Sequence, residues 1–300
     1  MKNLKTLVES QFPLLGRGLG RGGDKKSAFT LAEVLITLGV IGVVASITIS
    51  ALVKHYQKIT WTNQLKTNYS LLNQGFQKMM ADDGVQNIGD TEVWLSIPQV
   101  RRPWGTIEPF MDSSSDIEIC TTFYNNLGKY FQISKIGKLS NYEYKRITGS
   151  SLGIYNNEAI ILNNGAIIFN YEFRMPEIPS MEYCKQVHQL GGHMCAYSGI
   201  FDIDINGQKG PNILGRDIFH FYISELGIII PDGGNDYAIY RQCSYRNCDP
   251  SELGIWKTNN SEYEFSLCDS KGRDSSNQAH PNGYGCSGLL IDQLNWKMNY

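Results

Sequence analysis

Twenty consecutive residues, from Val34 to Val53, carry no charge. A helix of that length rises about 1.5 Å per residue and spans about 30 Å, the thickness of a bilayer's hydrocarbon core. After Val53 the pattern becomes amphipathic. Leu65, Tyr69, Leu72, Phe76 and Met79 or Met80 recur at spacings of three and four, with Lys54, Gln57, Lys58, Asn63, Lys66, Asn68 and Gln77 between them. That is the period of one helix face. Neither Pro nor a turn cluster separates the two patterns, so they predict one helix from about Thr30 to Asp82, roughly 80 Å long. Asp82-Asp83-Gly84 closes it, with Gly84 as the C-cap.

Farther along, the period shortens to two. Residues 158–162 and 166–173, joined by Asn163-Asn164-Gly165, read as a hairpin. Residues 199–205 and 217–223 alternate as strands, and 227–230 is a short apolar run closed by Pro231-Asp232-Gly233-Gly234. Residues 85–150 read as loops around short strands, because Trp94, Pro98, Pro103, Trp104 and the polar run 112–116 interrupt any period. Residues 270–283 read as an exposed loop. The fold class expected is α+β, a long N-terminal helix packed on an antiparallel, β-rich C-terminal head.

Composition sharpens this. The 300 residues are 42% hydrophobic and 11% aromatic, which excludes disorder over most of the length. The formal charge is −2, but residues 1–28 hold six bases and two acids, and the rest holds 21 bases and 27 acids. An acidic bulk argues against nonspecific nucleic-acid binding, which needs phosphate neutralisation. The bases precede the apolar run, so residues 1–28 are expected in the cytoplasm and the head outside. Seven cysteines, all after the apolar run, fit an oxidising compartment. The run is too long for a secretory signal and continues, without Pro or a turn cluster, into a helical pattern.

Glu33 stands at the edge of this run, where a carboxylate is costly if drawn toward the bilayer centre. The string Lys25-Lys26-Ser27-Ala28, then Phe29-Thr30-Leu31-Ala32-Glu33, then the apolar helix, resembles the cleavage and methylation segment of type IV prepilins and type II secretion pseudopilins. The resemblance implies that a prepilin peptidase cuts between Ala28 and Phe29 and N-methylates Phe29. It also implies that Glu33, fifth in the mature chain, pairs with the terminal amine of a neighbouring subunit during assembly. Such a pairing fixes register more than it stabilises. Ala28 replaces the usual Gly, and Ser50 stands where the family often has a kinking Pro. The layout implied is a cleaved leader (1–28), a transmembrane and filament-core helix (29–53), its amphipathic continuation (54–83) and a β-rich head (84–300). Gly39 and Gly42 soften the helix by roughly 1 kcal/mol each relative to Ala, or else permit close helix–helix approach.

Other motifs offer chemistry. Asp202-Ile203-Asp204-Ile205-Asn206-Gly207 opens like a calcium loop, with Asp217 as a late carboxylate, so Asp202, Asp204, Asn206 and Asp217 are candidate Ca²⁺ ligands. The twelfth position is Ile213 rather than Glu, which excludes an EF-hand; a strand end with an Asx-capped Gly turn is the structural alternative. Cys184, His188, His193 and Cys195 have the atoms for zinc, though a Cys184–Cys195 disulfide is simpler. Cys243 with Cys248 and Cys268 with Cys286 are further pairs by proximity, three connectivities being open to these four. Cys120 is then the odd one. Gly18 to Gly23 matches GxGxxG but lies in the leader with no strand before it. No hydrolase, P-loop or metalloprotease motif appears, so no enzyme is expected. Residues 204–217 and the ending 283–300 resemble the heads of uncharacterised prepilin-like proteins.

The function expected is a structural, minor subunit of a type IV pilus or type II secretion filament. Its partners would be prepilin peptidase, other pilin subunits and the membrane, with no cofactor unless Ca²⁺ binds. The alternative is a membrane-tethered surface module whose head binds glycan, protein or Ca²⁺ without polymerising.

Overall fold

The computed structural model describes residues 30–101, 107–175, 197–232, 237–241, 253–257, 268, 283 and 285–298. The chain divides into two compact units, Met1–Leu52 and Val53–Tyr300. Helix α1 (Leu31–Asp83) contributes to both.

In the second unit the stripe expected from residue 65 onward is the buried one: Leu65, Leu72, Phe76, Met79 and Met80 are buried and Tyr69 is half-buried. The helix ends at Gly84, whose φ of 66° only glycine adopts freely. Gly84 N–H donates to Ala81 O (3.2 Å) and Val85 N–H to Met80 O (3.0 Å), the paired bonds of a Schellman motif.

Residues 85–150 are more regular than their sequence suggests. They hold α2 (Glu92–Leu95), β1 (Gln99–Arg101), β2 (Ile107–Asp112), α3 (Ile117–Leu127), β3 (Ile133–Lys138) and β4 (Tyr142–Lys145). The polar run 112–116 turns after β2 and ends in the N-cap of α3, where the Asp116 side chain accepts the Glu118 N–H. Cys120, Phe123, Tyr124 and Leu127 form its buried face.

Strands β5 (Ser151–Tyr155), β6 (Glu158–Leu162), β7 (Ile167–Arg174), β8 (Gly199–Asp204), β9 (Ile218–Ile223) and β10 (Ile229–Pro231) follow. The main sheet is antiparallel in the order β1-β2-β7-β8-β9-β10, and β6 pairs both β7 and β3. The β4–β5 hairpin is a separate two-stranded sheet, as is β11 (Tyr237–Arg241) with β12 (Leu253–Lys257).

Side chains alternate across the main sheet. Ile168, Phe201, Ile203, Phe219, Phe221 and Ile223 join α1, α2 and α3 in one core. Aromatic contacts join them: Tyr69 to Phe221 at 5.8 Å, Phe76 to Trp94 at 5.9 Å, and Trp94 to Phe173 at 5.8 Å. Ile167, Phe169 and Ile218 form a second core with Tyr142 and Tyr155 of the β4–β5 hairpin. Burial of these two faces is the main stabilising term of the unit.

Candidate functional site

The residues around the expected cut begin, in the described structure, at Thr30. Ala28 and Phe29 lie outside the described residues. Thr30 caps α1. Its hydroxyl accepts the Glu33 N–H at 3.2 Å, and Glu33 Oε2 accepts the Thr30 N–H at 2.8 Å and the Thr30 hydroxyl at 3.0 Å. This is a reciprocal capping box, worth about 1 kcal/mol to a helix start. The signal Thr-x-x-Glu for this box is present in the sequence. The carboxylate has a local task as well.

From Leu31 to Leu52 every residue of α1 but one is exposed, among them Leu35, Ile36, Val40, Ile41, Val44 and Ile47. The helix is long and apolar enough to cross a membrane. Its few polar groups are satisfied within it. Thr37, Ser46, Thr48 and Ser50 hydroxyls donate to the carbonyls of Val34, Val43, Val44 and Ser46 at 2.8 to 3.0 Å. That removes the main cost of placing hydroxyls in hydrocarbon. A Cβ added at Gly39 or Gly42 would meet nothing within 4 Å.

Of the candidate calcium residues, Asp202 and Asp204 lie on the face of β8 opposite the helices, and Asn206 and Asp217 lie in the connection from β8 to β9. Asp202 and Asp204 alternate with Phe201 and Ile203, so the strand that buries aromatics on one side buries carboxylates on the other. They do not converge on one point. Asp202 Oδ1 bonds His220 Nδ1 at 2.6 Å and Oδ2 accepts from Asn170 Nδ2 at 2.8 Å. Both partners are placed by the sheet: His220 is the register partner of Asp202 on β9. Asn170 sits at a bulge of β7 with φ 48°. Sequence reasoning missed His220; the alternation of β8 and β9 was the available signal.

Asp204 is held differently. Its Oδ2 accepts the Tyr142 hydroxyl at 2.6 Å and its Oδ1 the Asn206 N–H at 3.1 Å. Asp217 accepts the backbone N–H of Asn212 (2.9 Å) and Ile213 (2.7 Å). The structure does bring Asn206 to Asp217: Asn206 Nδ2 donates to Gly210 O at 3.0 Å and to Asp217 Oδ2 at 3.4 Å. The Oδ1 atoms of Asn206 and Asn212 are buried with no hydrogen-bond partner among the described residues. Among those residues, no group of three or more His, Cys, Asp or Glu side chains could hold a metal ion. Burial pushes the Asp204 carboxyl up to about 7, and the charge of Asp217 adds to the effect against the Tyr142 hydrogen bond. Burial also raises Asp217, against bonds from Ile213 and Asn212.

Of the cysteines, Cys268 and Cys286 form a disulfide, and Cys120 is free and buried. Burial, then the charges of Asp116 and Asp112, push the Cys120 thiol up to about 11, which leaves it unreactive at neutral pH. Cys184, Cys195, Cys243 and Cys248, with His188 and His193, lie outside the described residues.

Residues 23–49 match the family model of the prokaryotic N-terminal methylation motif, the type IV prepilin-like signal. The match spans Ala28, Phe29, Glu33 and most of the apolar run. It supports a processed protein of the type IV pilin or pseudopilin kind, and the motif and apolar helix together fit a membrane-anchored chain. Neither the curated proteins nor the solved structures contain a match to this chain.

Proposed function

We propose that this protein is a structural subunit, a minor pilin or pseudopilin, of a type IV pilus or type II secretion filament. The carrying observation is the coincidence of the methylation motif at 23–49 with an exposed, charge-free helix that has one acid at its start. Prepilin peptidase would cut before Phe29 on the cytoplasmic side and methylate it, and the chain would then wait in the membrane for other pilin subunits. No catalytic step is assigned to it.

The capping box refines how Glu33 would act. Both of its bonds to Thr30 use Oε2. Oε1 is then the atom to receive the terminal amine of a neighbouring subunit, while Thr30 holds the carboxylate's orientation. A buried ion pair of this sort contributes register. Glu33→Ala should insert normally, since the helix only becomes more apolar, and should be depleted from sheared filaments relative to wild type. Incorporation at wild-type levels would refute the pairing.

A second reading keeps the anchor and gives the head a ligand, calcium. It is favoured by the loop 204–217. There the Asn206 amide nitrogen bridges Gly210 O and Asp217 Oδ2, and the amide oxygens of Asn206 and Asn212 have no hydrogen-bond partner among the described residues. Hard oxygens so gathered suit Ca²⁺, with the Asn206 side chain turned to present Oδ1.

A further inference from the structure

We infer that the turn at the C-terminal end of the described chain and the start of the amphipathic helix together form a binding pocket for the headgroup of an anionic phospholipid. A pocket of about 430 Å³ lies between α1 and residues 296–298, lined by His55, Lys58, Thr62, Trp296, Lys297 and Met298. The inference rests on the membrane-anchoring half of the proposed function, and needs no filament.

Three observations carry it. The first is place. His55 and Lys58 are the second and fifth residues after Val53, where the charge-free run ends. They fall within two helical turns of it, the level at which headgroups meet a spanning helix.

The second is charge. Between Glu33 and Asp82, α1 carries four lysines and no acid. Lys297 adds a cation from the opposite wall, and the ammonium of Lys66 stands over the Trp296 ring, 5.3 Å from its centroid. A cytoplasmic leader explains basic residues before the run. It does not explain a basic stretch after it, which the positive-inside tendency disfavours.

The third is construction. Trp296 reaches α1 through two consecutive non-glycine residues in the left-handed region, Asn295 (φ 45°) and Trp296 (φ 63°). Such backbone is costly and collects at ligand clamps. The turn is fastened by Trp296 N–H to Leu290 O (2.9 Å) and Lys297 N–H to Leu294 O (3.0 Å). Tyr69 packs edge-on against the indole at 5.8 Å. A tryptophan with its ring fixed beside lysines is the pairing that membrane interfaces favour, the ring meeting acyl glycerol and the ammonium groups the phosphate.

The test uses the full chain in vesicles of equal phosphatidylglycerol and phosphatidylcholine with matched acyl chains. After detergent extraction, native mass spectrometry counts the lipids retained. Phosphatidylglycerol should dominate in wild type. A lysine near an anionic surface is worth about fivefold in affinity, so Lys58→Gln with Lys297→Gln, both in the pocket wall, should lower the preference by roughly 25-fold. Lys78→Gln, on the same helix but outside the pocket, should keep it. Circular dichroism confirms that each variant is folded. Equal retention of the two lipids by wild type would overturn the inference, as would equal losses in Lys78→Gln, or displacement of the lipid by inorganic phosphate. Release of the chain from vesicles by a carbonate wash is a separate outcome, and would overturn the anchoring itself.

Discussion

Gly42 and Gly75 lie in one helix and in opposite surroundings. A Cβ at Gly42 would meet nothing within 4 Å; one at Gly75 would lie 2.2 Å from the Phe131 ring. The same contrast holds around them. Leu31 to Leu52 present their apolar side chains outward, whereas the later turns bury a single stripe against the sheet and its flanking helices. Hydrophobicity in the first stretch therefore supplies nothing to the folding of the head. It fits the anchor of a membrane-anchored chain. Hydrophobicity in the second stretch is core.

Substitutions that treat the two halves alike should separate them. Phe76→Ala removes a buried ring and should cost about 3–5 kcal/mol of the head's stability, whereas Ile41→Ala should leave it unchanged. Thermal unfolding of the detergent-solubilised full chain, followed by near-ultraviolet circular dichroism, reads both. Equal shifts for the two would break the comparison.

The glycines give a smaller effect of opposite sign. Gly75→Ala must push the buried Phe131 ring aside and should destabilise by about 1–3 kcal/mol, the usual cost of overpacking. Gly42→Ala should strengthen its helix by about 1 kcal/mol, since nothing opposes the added methyl. Stabilisation of the head by Gly75→Ala would show that the close approach to Phe131 is not held.

These contrasts also show what the sequence could and could not tell. The change from an unbroken apolar run to a three-four stripe was plain, because a spanning helix and a docked one need different patterns. The hairpin at Asn163-Asn164-Gly165 and the strands over 199–205 and 217–223 were legible by alternation and turn chemistry. Helix α3 was not, although Asp116 caps it and Cys120, Phe123 and Tyr124 follow the period; the polar run before it masked the start. The role of Asp202 was also hidden. Its partner His220 lies 18 residues away, and only strand register brings them opposite each other. A DxDxNG string looks the same whether its acids gather on an ion or, as with Asp202, bond across a sheet.

The buried acids supply a finer contrast, since the exposed half of α1 holds no comparable group. The Asp204 carboxyl lies at about 7 in the fold against 3.8 as the ordinary value. A raised folded value means that the protonated form is favoured by folding. Its contribution is complete below pH 3.8 and is lost as pH rises through about 7. Stability of the metal-free head should fall across that window, and Asp204→Asn should flatten the fall; an unchanged slope in the variant would place the titration elsewhere. If calcium binds the loop, adding it at neutral pH should raise the midpoint of wild type and not of Asp217→Asn. No rise in wild type would dispose of the calcium reading.

Mass spectrometry of the N-terminus of the mature chain tests the central claim most directly. The account predicts a chain that begins at Phe29 with one added methyl group, because the basic leader, Ala28 and Glu33 sit inside the methylation motif at 23–49. A chain that keeps Met1, or one cut within the apolar run near Ser46 or Ser50, would contradict it.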